Sequence, residues 1–211
     1  MKKIAIVLAA LVLAASPAFA QLIPGAGYMN STLTSGSSTD TQNGFYAGAS
    51  MEMGVSSVKG LSFVPGAYLS YITSTGTSSG NFVIISGSSK STFTEVALNV
   101  PAYFKYGLSL SGGARVFAYA GPTAQIGLVS QTQTDTKTSG LFSGESSSVT
   151  NYYTGDSGFN RFNVYVGGGA GFGIGKFSIN LGYDYGLMNV LRGSDKSANR
   201  ANLHVGVSFA L

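Results

Sequence analysis

The stretch VYVGGGAGFGIGKF, Val164 to Phe177, packs six glycines into nine positions and closes on Gly175-Lys176. A glycine-rich loop ending in lysine is how P-loop proteins cradle phosphate, with backbone N–H groups on the phosphate oxygens and a Ser/Thr hydroxyl on magnesium. The spacing fails that test. Ala170 stands where the first glycine is required, and Phe177 stands where the hydroxyl is required. The dinucleotide pattern G-x-G-x-x-G fails too, because from Gly169 and Gly171 its third glycine falls on Ile174. Nor does a helix follow: FSINLGYDY alternates as a strand does. No phosphate site and no cofactor is expected.

Other groups capable of chemistry are few. His204 is the single histidine. As a catalytic base it needs a nucleophile or an activated water, and often an acid to orient it. Ser208 shares its phase, but four residues along a strand is about 13 Å, out of hydrogen-bond reach. His204 is therefore read as a packed member of a polar cluster, and no catalytic residue is assigned. Cysteine is absent and no His/Asp/Glu cluster suggests a metal site. Glu52, Lys105, Arg115 and Asp184 remain. They admit two readings, a gate along a narrow ion path or a plug of buried pairs. An unpaired charge in low dielectric is costly, so the plug is favoured. The expected polar network is Glu52, Lys105, Arg115, Asp184 and His204.

These groups sit on strands. In ANLHVGVSFAL, Leu203, Val205, Val207, Phe209 and Leu211 share one face, with Asn202, His204, Gly206, Ser208 and Ala210 opposite. FSINLGYDYGL and GFYAGASMEMG alternate in the same way. The glycine run fits this period: Phe162, Val164, Val166, Ala170, Phe172 and Ile174 take one phase, and Gly167, Gly169, Gly171 and Gly173 the other. Eight strands are predicted, near roughly 25–34, 44–54, 61–73, 92–106, 114–129, 159–175, 177–189 and 200–211. Gly175-Lys176 is the tight turn between the sixth and seventh. Pro65, Pro101 and Pro122 fall inside strands and each loses a ladder donor, so bulges or strand ends are expected there.

Composition chooses the environment. Only 9% of residues are charged, against about 25% in ordinary soluble domains. The start, MKKIAIVLAALVLAASPAFA, has two lysines, an apolar run of about 12 residues and Ala18-Phe19-Ala20, which together read as a secretory signal cleaved after Ala20. Without Lys2 and Lys3 the chain carries ten basic and eight acidic residues, which leaves no basic stripe for nucleic acid. No later run reaches the roughly 20 apolar residues of a spanning helix. A chain that crosses lipid without helices must close into a β-barrel, where every backbone group is paired.

The connections agree. They run roughly 9, 6, 18, 7, 29, 1 and 10 residues, long and short in strict alternation, as in outer-membrane barrels with short periplasmic turns and long extracellular loops. The longest, residues 130–158, is mostly Ser, Thr, Gly, Asn, Asp and Tyr and is expected to be solvated and mobile outside the cell. The polar face, with Glu52, Asn99, Lys105, Arg115, Gln125, Asn180, Asp184 and His204, then points into the lumen. An eight-stranded lumen is only just wide enough for side chains to fill. Glycines on the sixth strand leave room there, and Tyr68, Tyr103, Lys105 and Arg115 are the side chains expected to lean into it.

ALNVPAYFKYGL, AYAGPTAQIGL, LGYDYGLMNVL and NLHVGVSFAL resemble recurring strands of the small outer membrane β-barrel domain family, the PorT-like and OmpX-like group. The V-P-x-x-x-K-Y pattern lies at Val100, Pro101, Lys105 and Tyr106, A-G-P at Ala120 to Pro122, and Tyr-x-Tyr-Gly-Leu at Tyr183 to Leu187. LSFVPGAYLSY resembles the third strand, though Gly66 follows Pro65 where relatives often carry a polar or acidic residue. The chain ends in Leu211 rather than the usual aromatic, with Phe209 two positions earlier. The resemblance implies an integral outer-membrane protein without established catalytic residues.

The expected fold is an all-β, eight-stranded antiparallel up-and-down transmembrane barrel over 21–211, after a signal peptide over 1–20. Its expected role is structural or interactive at the cell surface, through Ser/Thr-rich extracellular loops. The alternatives are a PorT-like component of a secretion or envelope-assembly machine, or a small channel. The expected partners are outer-membrane lipid and, through 130–158, an extracellular ligand or an envelope protein.

Overall fold

The computed structural model describes residues 21–82, 85–140, 143–154, 158–194 and 196–211. The predicted signal, residues 1–20, lies outside the described residues. The strands are β1 (Gln21–Ser35), β2 (Ser38–Gly54), β3 (Leu61–Phe82), β4 (Ile85–Ser109), β5 (Ala114–Gly140), β6 (Gly144–Asn151), β7 (Gly158–Phe159), β8 (Phe162–Ile174), β9 (Phe177–Gly186), β10 (Leu191–Arg192) and β11 (Ala198–Phe209). Eight of them close a ring. β1 pairs with β2, β2 with β3, β3 with β4, β4 with β5, β5 with β8, β8 with β9, β9 with β11, and β11 with β1, all antiparallel. The closed ring leaves no free edge along the barrel wall, the condition for crossing lipid.

Period two sends the apolar phase outward. Phe45 is 65% exposed, Leu181 56% and Val207 61%. The opposite phase is buried, with Ser50, Ser70, Thr123, Asn163 and Asn202 inside. A protein surface apolar over this whole belt suits hydrocarbon rather than water.

Short turns gather at one end. They are residues 55–60, the 3₁₀ turn Ser111–Gly113, and Gly175-Lys176. Gly175 has φ +57°, the left-handed conformation expected of it.

The other end departs from expectation. The predicted connections of 18 and 29 residues are largely strand. β3 and β4 stay paired from Thr73–Thr94 up to Phe82–Ile85, and β4 stays paired with β5 up to Ile85–Gly140. β6 returns along β5 from Thr138–Gly144 to Gln131–Asn151. The result is a four-stranded sheet, β3-β4-β5-β6, that continues beyond the barrel wall. Much of 130–158 is therefore strand rather than mobile loop. The sequence signal was silent because both faces of this sheet are polar, so no apolar phase marks them. Threonine and serine hydroxyls, with threonine's β-branch, suit a strand that is wet on both sides.

The prolines also differ from expectation. No strand ends at Pro65, Pro101 or Pro122, and the register does not shift there. Instead two rungs drop out at each: Pro65 opposite Met51, Pro101 opposite Gly66, and Pro122 opposite Ala102 have no ladder pair, while each proline is paired normally on its other side. A proline lacks only its N–H, so only the side that needed that donor is lost. The one bulge in the β4–β5 ladder lies elsewhere, at Val96/Ala97, where Leu128 is the extra residue.

Candidate functional site

The lumen holds the ionisable groups, in layers. Nearest the short-turn end, Lys105 on β4 makes an ion pair with Glu52 on β2. Arg115 on β5 approaches the same carboxylate, its Nη1 3.9 Å from Glu52 Oε2, and its Nη2 donates to Ser178 Oγ at 3.1 Å. Lys105 and Arg115 both sit near the ring of Phe117, at 5.1 and 6.0 Å.

The middle layer is a relay of rings and carboxylate. Thr123 Oγ1 donates to the Tyr103 hydroxyl at 3.0 Å, and that hydroxyl donates to Asp184 Oδ1 at 3.1 Å. His204 Nδ1 lies 3.5 Å from Asp184 Oδ2, and its Nε2 is 3.1 Å from the Tyr119 hydroxyl. The five predicted residues thus fall into two groups, Glu52 with Lys105 and Arg115, and Asp184 with His204. The partners of His204 are Tyr119 and Asp184; Ser208 is not among them.

A third layer was missed by sequence reasoning. Glu95 on β4 and Arg200 on β11 pair through two hydrogen bonds, one of them Arg200 Nη2 to Glu95 Oε2 at 3.1 Å. Beside them Tyr165, 1% exposed, donates to Gln125 Oε1 at 3.0 Å, Gln125 donates to Asn99 Oδ1, and Asn99 to Ser70 Oγ. The signal was available by counting back in twos, from His204 through Asn202 to Arg200, and from Asn99 through Ala97 to Glu95.

Glycine governs how these side chains lie. A Cβ on Gly167 would stand 1.9 Å from Asp184 Oδ1, on Gly169 2.6 Å from the Tyr119 hydroxyl, on Gly171 2.2 Å from Phe117 Cζ, and on Gly173 2.9 Å from Arg115 Nε. Of the four side chains expected here only Arg115 is among these; Phe117, Tyr119 and Asp184 take the places expected for Tyr68, Tyr103 and Lys105. The physical reason is register. Each occupant is the direct cross-strand partner of its glycine, Tyr119 of Gly169, Phe117 of Gly171, Arg115 of Gly173 and Asp184 of Gly167. Whereas Glu95 and Arg200 meet from opposite walls, a long side chain lies flat over a neighbouring strand that carries glycine. Tyr68 does the same over Gly48, and Tyr46 crosses Gly27 on β1 to place its hydroxyl end over Gly206 on β11. A space of about 160 Å³ remains in the lumen, bounded by Lys105 and Arg115, by Tyr103, Asp184 and His204, and by Tyr165 and Asn202.

At the long-connection end the mouth is covered. Tyr153 is buried over Gly127, held by its own N–H to Asn151 Oδ1 at 2.9 Å and by Arg161 stacked 5.0 Å from its ring. β7 pairs with β10, and Asn160 Nδ2 donates to the Asn189 and Leu191 carbonyls, stitching the two connections together.

The chain as a whole can now be placed. Residues 18–192 match the model of the outer membrane protein beta-barrel domain. The chain belongs to this family. Among solved structures this outer membrane barrel is similar to Ail, the attachment invasion locus protein of Yersinia pestis, at 13% identity and a TM-score of 0.41, over 92% of this chain and 99% of that one. It is also similar to Neisserial surface protein A, at 11% identity and a TM-score of 0.45, over 90% of this chain and 97% of that one. No curated protein matches it. Membership sets the outer membrane as the location of the barrel and lipid as the medium around its apolar belt.

Proposed function

We propose that this barrel is a cell-surface interaction protein whose working part is the protruding sheet β3-β4-β5-β6, and whose lumen is a plug rather than a pore. In this reading residues 1–20 are removed on export, residues 21–211 form the barrel domain, and the long-connection end faces outward. What carries the reading is that sheet: it continues the wall of the barrel into solvent, and β6 is exposed along its whole length. A sheet that extends beyond what membrane anchoring requires is built to meet something.

The plug is supported by the three lumen layers. Glu52 with Lys105 and Arg115, and Glu95 with Arg200, pair opposite charges at two levels, Asp184 is held between Tyr103 and His204 at the level between them, and Tyr153 covers the outer mouth. Buried paired charges fix register and close space; they do not line a path. No catalytic role is assigned to any of these residues.

The test is membrane fractionation combined with surface proteolysis on intact cells. The protein is expected in the outer-membrane fraction, with cleavage within 130–158 and an N-terminus at Gln21. Removal of the sheet above the barrel is expected to abolish attachment of cells to their target while leaving the barrel folded. Recovery of the protein in the soluble periplasmic fraction would overturn the reading.

A further inference from the structure

The protruding sheet has two unlike sides. On one, Lys90 stands opposite Asp135 and Lys137 opposite Glu145, with Lys137 Nζ 2.8 Å from Glu145 Oε1. The other side carries no charged residue among the described residues. Its rows are hydroxyls and glycines. Ser78, Ser89, Thr136 and Ser146 stand in one row across β3, β4, β5 and β6; the row nearer the barrel is Gly76, Ser91, Thr134 and Ser148, and the row beyond is Gly80, Gly87, Thr138 and Gly144. The stretch TQTDTKT supplies the spine, Thr132 to Thr138, one threonine every second residue. Ser91 Oγ lies 3.1 Å from Thr134 Oγ1, so hydroxyls of neighbouring strands hold one another within a row.

This side ends in an aromatic floor. Phe93 stands beside Thr132 in the ladder. Its ring lies 6.0 Å from that of Tyr152 and 6.2 Å from that of Phe159, and those two are stacked at 4.8 Å. Thr132 Oγ1 donates to the Tyr152 hydroxyl at 3.1 Å. Below it Ser130, on the same side of β5, is wholly buried and its hydroxyl has no partner. Thus the foot of the face is a set of half-buried rings, tied to the sheet through Thr132 and Tyr152.

We propose that this uncharged hydroxyl face, with the Phe93–Tyr152–Phe159 floor, binds an uncharged polysaccharide. The inference rests on the surface-interaction reading above and names its ligand class. Each hydroxyl both donates and accepts, which matches a sugar ring bearing hydroxyls of the same dual character. Aromatic rings present flat apolar area to the C–H side of a pyranose, with Tyr adding a polar tip. Strands about 4.8 Å apart, with same-face residues about 6.7 Å apart along each, give a flat field several sugar rings long. Charge decides against the rival class. A sulfated or uronic polymer needs cations, and the lysines of the sheet are on the other side, Lys137 in an ion pair with Glu145 and Lys90 opposite Asp135 in the ladder.

The experiment uses the full mature chain folded in detergent micelles. Retention on immobilised dextran, mannan and xylan is compared with retention on dextran sulfate. At least one uncharged polymer is expected to bind, with little dependence on salt. The double variant Thr134→Val/Thr136→Val keeps the β-branch and removes two hydroxyls; it is expected to bind at least tenfold more weakly, as is Tyr152→Ala. Lys137→Ser, on the opposite side, is expected to bind as wild type. Heat-modifiable gel mobility shows that each variant retains its barrel. The proposal is overturned if no uncharged polymer binds, if dextran sulfate binds more tightly and is released by salt, or if the double variant binds as wild type. Cells whose attachment depends on the sheet, carrying a protein that binds no uncharged polymer, would leave the surface-interaction reading standing and this inference refuted.

Discussion

Glu95 and Arg200 lie 105 residues apart in the chain and meet inside the barrel, each with only 3% of its side chain exposed. Removing one partner leaves the other charged and buried. Glu95→Gln or Arg200→Met alone is expected to cost about 3–5 kcal/mol of stability, whereas Glu95→Leu with Arg200→Met should cost far less. Urea unfolding in micelles, followed by gel mobility, measures all three. A double-variant loss equal to the sum of the two single losses would show that the pair is not coupled.

Gly27 lies beneath Tyr46, and a Cβ there would stand 2.2 Å from the Val205 carbonyl oxygen and 2.6 Å from the Tyr46 ring. Backbone cannot yield, so Gly27→Val is expected to destabilise by about 1–3 kcal/mol or more. Gly54 has nothing within 4 Å of its Cβ position, and Gly54→Ala should fall within about 0.5 kcal/mol of wild type. The same unfolding assay separates them; comparable losses would mean that glycine is not needed for packing.

Asp184 tests the plug. Its carboxylate holds Tyr103 and faces His204. Asp184→Ala is expected to lower the heat-denaturation midpoint clearly and to change planar-bilayer conductance little. A large, stable pore in the wild-type protein would contradict the plug.

The β5–β6 hairpin carries the pH dependence of the sheet. Hydrogen bonds from Ser147 and Gln133 hold the exposed Asp135 carboxyl below its usual range, and Glu145 holds the Lys137 ammonium above its own. A lowered acid stabilises above its unfolded value, and that contribution is lost as pH falls through its folded value. A raised lysine stabilises below its unfolded value, and that contribution is lost as pH rises through its folded value. The hairpin is therefore expected to be most resistant to opening between roughly pH 4 and pH 10. Hydrogen exchange of the β5–β6 amides, corrected for intrinsic rates and compared with Asp135→Asn, checks this; a variant with the same profile as wild type would count against it.

How much of this was legible in the sequence depends on whether a strand separates two media. Where one face meets lipid and the other a lumen, the alternation in 177–187 and 201–209 located strand, face and neighbours. Where both faces are wet, as in Thr132 to Thr138, no apolar phase marks the strand, and the sequence alone does not distinguish it from a loop. Glu95 and Arg200 escaped because they lie where the apolar phase fades, although both stay in step with inward residues. The glycine run is legible as wall from its period. Which side chains cover it is not, because that depends on rung-by-rung register, and a one-residue change of register alters every partner.

The dropped rungs beside Pro65, Pro101 and Pro122 fall on three consecutive seams, β2–β3, β3–β4 and β4–β5. Together they draw a diagonal crease across the wall. Fewer ladder bonds cross the wall along this crease than elsewhere, so it is the line along which bending costs least. Lateral pressure from the bilayer would therefore ovalise the barrel along one fixed axis, and the strands just above that crease are the ones that carry the protruding sheet.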